Sequence, residues 1–160
     1  MEEKNKILSL AKSSFKFRIY LFYKLPAAFF SGVKIKSITL EKCTTTVPYK
    51  WLTQNPFRST YFASLAMAAE MSTGILALIN TYNKKMRISM LVVKMEANYF
   101  KKATGTTFFT CEGGLQIEQA VIEASKNQEG KTVTVTTIGK NKNDELIAEF
   151  LFTWSFKAKN

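Results

Sequence analysis

Residues 55–80 read NPFRSTYFASLAMAAEMSTGILALIN, and the fold turns on how this stretch is buried. Between Arg58 and Lys84 it carries one charge, Glu70, among residues that are otherwise small, apolar or weakly polar. Ala63, Ala66, Ala68, Ala69 and Ala77 keep it slim. A helix apolar on nearly all sides must be buried, in a bilayer or inside a protein. Glu70 separates the two, because a carboxylate near the middle of a lone membrane span costs roughly 2.5 kcal/mol or more. The flanks read as amphipathic strands, so the expected jacket is a sheet.

Working outward, the 160 residues contain no linker, repeat or low-complexity tract and are read as one domain, 1–160. Residues 1–31 form an N-terminal helical extension and 32–160 the core. The net charge of +11, from 23 Lys and Arg against 12 Asp and Glu, favours anionic partners. No nucleic-acid motif interleaves the lysines, and nucleic acid is not expected. Cys43 and Cys111 stand far apart in strand-like runs, which suits buried thiols in a reducing compartment and gives no metal or disulfide framework. The chain has no His, which removes Ser-His and Cys-His pairs and His-ligated metals. Chemistry must therefore run on carboxylate, hydroxyl, amide or backbone groups.

Lys16, Arg18 and Lys24 interrupt the apolar runs before Pro26, so no signal-peptide core is expected and the location is read as cytoplasmic. From Lys4 to Tyr23, the spacing of Leu8, Ala11, Phe15, Ile19 and Phe22 predicts one amphipathic helix, ended by Pro26. Its stripe is expected to pack on the body of the domain. The alternative is a basic helix that touches a membrane.

Strands are predicted over 33–40 and 43–49, joined by a turn at Glu41 and Lys42. The central helix starts either after Asn55, with Pro56 in its first turn, or after Ser59. The run ISMLVVKMEANYF predicts a long strand with Leu91, Val93, Met95, Ala97 and Tyr99 on its buried face, returning through 101–105 to an antiparallel partner at 106–112. A short helix over 115–126 and strands over 131–140 and 146–156 follow. Strands and helices segregated in this way give an α+β class, an antiparallel sheet curled around one long helix.

At the central helix the sequence resembles the hotdog-fold acyl-CoA thioesterases, particularly the phenylacetate-degradation type. In that type an Asn, a His-Gly-Gly turn and then an acidic residue follow one another. Here Asn55 stands fifteen positions before Glu70, the family's separation, and Tyr61, Phe62 and Ala63 replace His-Gly-Gly. NPFRSTYFASLAMAAEMSTG together with WSFK near the end is most similar to a bacterial branch known only as thioesterase-like. The resemblance implies a homodimer or dimer of dimers with active sites at the subunit interface, Asn55 from one subunit facing Glu70 of the other. It implies an acyl-CoA or similar thioester as substrate, with coenzyme A as part of that substrate and no separate cofactor. Ser89 matches a position where related enzymes carry a hydroxyl near the acid.

Beside the resemblance, a buried Glu70 with a raised pKa has the chemistry of a base or nucleophile toward a thioester. The other reading makes it half of an ion pair. Tyr61, Phe62 and Ala63 are candidates for the oxyanion-binding turn and Ser89 for substrate contact. Asn55 is either a catalytic amide or a helix cap. Lys101 and Lys102 either meet a coenzyme A phosphate or form a solvated turn. Two functions remain: thioester hydrolysis, or binding of an acyl chain or lipid without turnover.

Overall fold

The computed structural model describes residues 2–82, 87–127 and 130–159. Three helices come first, α1 (Glu2–Lys12), α2 (Ser14–Lys24) and α3 (Pro26–Ser31). Strands β1 (Lys34–Ile38) and β2 (Cys43–Val47) precede the long helix α4 (Phe62–Thr81). Then come β3 (Arg87–Tyr99), β4 (Thr107–Cys111), α5 (Gly114–Asn127), β5 (Lys131–Lys140) and β6 (Leu146–Lys159). The strands form one antiparallel sheet in the order β1-β2-β4-β5-β6-β3. This is the hotdog fold, with α4 lying on the sheet and touching five of its strands.

α4 is slim, and its apolar surface alone would specify its rotation poorly. Hydroxyls supply the missing specificity. Thr45 Oγ1 donates to the carbonyl of Ala68 at 2.6 Å, Ser72 Oγ and Thr137 Oγ1 meet at 2.7 Å, and Trp154 Nε1 donates to Thr73 Oγ1 at 3.0 Å. Each bond fixes a buried polar group that would otherwise cost stability. Cys43 and Cys111 are free, buried and directly opposite on β2 and β4.

Four expectations need correction. The N-terminal helix is broken at Ser13, whose backbone is extended. The break changes the phase of the buried face: Leu8 and Ala11 pack inward on α1, but on α2 the buried residues are Phe17 and Leu21. Phe15, Ile19 and Phe22 are exposed. Pro26 does not simply end a helix; it opens α3, at the position where a missing N–H is harmless.

The second correction concerns β3, which does not form a hairpin with β4 but crosses to the far edge and pairs with β6. The third is a bulge at Val93, between the pairs Val92–Trp154 and Lys94–Thr153. An extra residue reverses which side chains face inward. Ile88, Met90 and Val92 pack on the core before the bulge and Ala97 after it, whereas Leu91, Val93 and Met95 are exposed. Fourth, α4 begins after Tyr61 and not after Asn55 or Ser59. Residues 83–86, inside the connector that the sequence places between the central helix and the long strand, lie outside the described residues.

Candidate functional site

Asn55 organises the loop that α4 grows out of. Its side-chain Oδ1 accepts from the amides of Phe57 at 3.0 Å and Ser59 at 3.3 Å, and its own amide donates to Ser59 Oγ at 3.2 Å. Asx turns of this kind draw the chain back on itself. Arg58 takes a left-handed conformation at φ 58° to complete the turn. Thr60 then pins the loop across the molecule: both its amide and its hydroxyl donate to the carbonyl of Ala103, at 2.8 and 3.1 Å.

That staple creates a groove of 620 Å³ between the start of α4 and the end of β3. Asn55, Phe57, Tyr61, Phe62, Tyr99 and Lys102 are among its walls. Tyr61 caps α4, and Phe62 and Ala63 are its first two residues. The Tyr61 amide donates to the carbonyl of Thr53 at 2.6 Å, whereas those of Phe62 and Ala63 find no acceptor among the described residues, as expected for the first turn of a helix, whose exposed N–H groups favour negative charge. Five residues singled out from sequence thus line one groove: Asn55, Tyr61, Phe62, Lys101 and Lys102. Lys101 is tied to Glu145, whereas Lys102 only approaches the carbonyl of Phe57 at 3.4 Å. Ser89 lies elsewhere, with its hydroxyl donating to the carbonyl of Lys157 at 3.0 Å.

Glu70 is eight residues into α4 from Phe62, about 12 Å along the axis at the helical rise. It does not line this groove. Its carboxylate has no hydrogen bond or ion pair among the described residues, and burial pushes its pKa up to about 7. The ion-pair reading therefore finds no partner among the described residues. Gly74, one turn on, leaves room for the carboxylate: a Cβ there would lie 2.5 Å from Glu70 Oε1 and 3.4 Å from the Trp154 ring. Tyr20 of α2 is close enough to sense Glu70; burial, and then the charge of Glu70, push its hydroxyl pKa up.

Gly74, Trp154 and Tyr20 were not singled out from sequence. Gly74 had a readable signal, a glycine one helical turn after the lone acid of an alanine-rich helix. Tyr20 had none, because its approach depends on how α2 folds over α4. A wider groove of 1090 Å³ crosses the outer face of the sheet, but its acids Glu112 and Asp144 are tied to Lys42 and Lys140. It offers no unpaired carboxylate.

The geometry can be set against known proteins. The family model described as a domain of unknown function, DUF4442, matches residues 17–156. No functionally curated protein matches the chain. Among solved structures, a Chlorobaculum tepidum protein of unknown function superposes with a TM-score of 0.77 at 16% identity, over 94% of this chain and 95% of that one. A Pseudomonas aeruginosa protein of unknown function, described as a probable thioesterase, gives 0.76 at 16% identity over 92% and 97%. A thioesterase from Haemophilus influenzae gives 0.64 at 14% over 90% of each chain. At these identities the likeness establishes the fold, a thioesterase-like hotdog.

Proposed function

Starting from a chain that belongs to the DUF4442 family, we propose that it hydrolyses an acyl thioester, with Glu70 as the base and the catalytic site completed by a second copy of the chain. The observation that carries this reading is Glu70 itself: one carboxylate on an apolar helix, without a partner among the described residues and held near pKa 7 by burial. A general base works best with a pKa near the operating pH. Perturbed, unpaired carboxylates of this kind concentrate at functional sites.

The separation of about 12 Å along α4 is what calls for the second copy. A thioester whose carbonyl oxygen rests against the free amides of Phe62 and Ala63 is out of reach of Glu70 in the same protomer. Glu70 of the partner subunit would meet it if two protomers pair in antiparallel fashion through β3. β3 is a long edge strand with Leu91 and Val93 exposed, the kind of edge that invites pairing. β1, the other edge, is short and carries Lys34 and Lys36.

In the reaction, Glu70 takes a proton from water as the water oxygen attacks the carbonyl carbon. The developing oxyanion is held by the two amides of the α4 N-terminus, with the remaining Asn55 amide proton able to assist. Collapse breaks the carbon–sulfur bond, and the proton on Glu70 passes to the leaving thiolate. The products are a carboxylic acid and a thiol. Lys102 is the groove cation available to a phosphate of coenzyme A. Acyl binding without turnover is the second reading, favoured by the Tyr61–Phe62 ring pair, 4.7 Å between centroids, at the position of the oxyanion turn.

Thiol release from a panel of acyl-CoA substrates tests both. Turnover is expected in the wild type, with a fall of about a hundredfold or more in Glu70→Gln at an unchanged fold. Undiminished turnover in Glu70→Gln removes Glu70 from the mechanism. No turnover on any thioester, with an acyl-CoA nevertheless bound, establishes the second reading.

A further inference from the structure

α2 is apolar on two faces. Phe17 and Leu21 point into the core, while Phe15, Ile19, Phe22 and Tyr23 are exposed, Phe15 and Tyr23 by 75% each. At about 100° per residue these four outward positions fall within one arc of roughly 100°, flanked on either side by Lys16 and Arg18. α3 extends the surface: Phe22 meets Phe29 at 5.2 Å and Phe30 at 6.4 Å, and Phe30 is 54% exposed. A contiguous aromatic ridge of this kind marks an interaction site.

The charge around the ridge indicates its partner. From Ala11 to Leu40 the chain carries Lys12, Lys16, Arg18, Lys24, Lys34 and Lys36 and no acidic residue. Behind the ridge, Arg18, Lys34 and Lys50 line a pocket of 330 Å³ that contains no acid. None of the three has an acidic partner among the described residues. The ridge itself holds two of them: the Arg18 guanidinium sits 4.5 Å from the Phe29 ring centroid, and Lys50 Nζ donates to the carbonyl of Phe30 at 2.8 Å. Gly32, at φ 78°, forms one wall where a Cβ would come within 3.0 Å of Lys50 Nζ.

We propose that the outer face of α2 and α3 docks on an anionic phospholipid surface, its aromatic ridge at the acyl boundary and a lipid phosphate in the pocket of Arg18, Lys34 and Lys50. Exposed aromatics with flanking cations are the features that hold a helix in the plane of such an interface. A second copy is the poorer occupant, because two surfaces of the same positive sign repel each other. The edge that invites a second copy, β3, stands at the opposite end of the strand order from β1, against which α2 packs.

Co-sedimentation of the full chain with vesicles is the test. Binding is expected to phosphatidylcholine vesicles containing phosphatidylglycerol and not to phosphatidylcholine alone, and it should weaken as salt is added. Arg18→Gln and Lys34→Gln should each weaken binding about fivefold. Phe22→Ser and Phe30→Ser should each weaken it about tenfold or more. Tyr23→Ser, at a more exposed position, replaces any of these that lowers Tm. The proposal is overturned if the wild type stays in the supernatant or if these variants bind like the wild type. It is equally overturned if, without vesicle binding, Phe22→Ser dissociates an oligomer in light scattering, which assigns the ridge to a second copy. Protection of Arg18 and Lys34 from chemical modification by coenzyme A or inorganic phosphate, again without vesicle binding, assigns the pocket to a soluble phosphate and has the same effect.

Discussion

Glu70 ionises where its carboxylate meets no donor among the described residues, and the cost of doing so falls on the folded state. Its folded pKa of about 7 lies above the value of an unfolded glutamate, roughly 4.3. The folded protein therefore holds the proton more tightly, and stability falls as pH rises through that window. Glu70→Gln removes this loss. Its Tm relative to the wild type should rise between about pH 5 and pH 8, whereas a carboxylate held in an ion pair would give a fall. Hydrolysis should change in the opposite sense, with kcat/KM of the wild type increasing with pH up to about 7 as the base deprotonates. Gly74→Ala tests the position of the carboxylate separately from its charge. The added methyl meets the mobile end of Glu70, and alanine is the better helix former, so Tm should hold or rise while activity falls.

At the scale of elements, α2 distinguishes buried from exposed apolar positions. Leu21→Ala, at a fully buried site, should cost about 2 to 5 kcal/mol, whereas Phe15→Ala should leave Tm within a degree or two. Chemical denaturation of the two variants checks both. The same helix shows where sequence reading succeeds and where it stops. The elements were readable because each has its own local pattern, a long run with a single charge in α4 and a period of two in β5 and β6. What connects them was not. Leu91, Val92 and Val93 put apolar side chains on both faces of the strand, so nothing local places the bulge. The turn at 101–105 reads as a hairpin although Thr60 diverts it. Asn55 and Pro56 carry the signature of a helix start, yet the Asn side chain closes a loop that begins seven residues before α4. For the site, the individual residues could be chosen from chemistry and resemblance, whereas their grouping required the staple between Thr60 and Ala103. That Glu70 stands apart from its own chain's groove was already implied by the resemblance, and eight residues of helical rise between Phe62 and Glu70 give the physical reason.

For the whole molecule, the proposed pairing through β3 would make assembly a condition of activity. A stable pair is expected to bury about 800 Å² on each side. Leu91→Lys, on the exposed edge, should shift light scattering from a dimer to a monomer and lower thioester turnover at the same time, with little change in the helical and strand content. A dimer that persists in this variant with full activity would place the contact elsewhere. The bond from Trp154 to Thr73 has a separate, optical use. The chain has two tryptophans, Trp51 at 79% exposure and Trp154 at 3%. Their emission should therefore be well separated, red for the first and blue for the second, and Trp51→Phe leaves the buried indole alone. Because Gly74 keeps that ring and the Glu70 carboxylate as close neighbours, ionisation of the acid should alter the intensity of the blue band. The protein would then carry its own fluorescent indicator, reporting the proton on Glu70 without any substrate present.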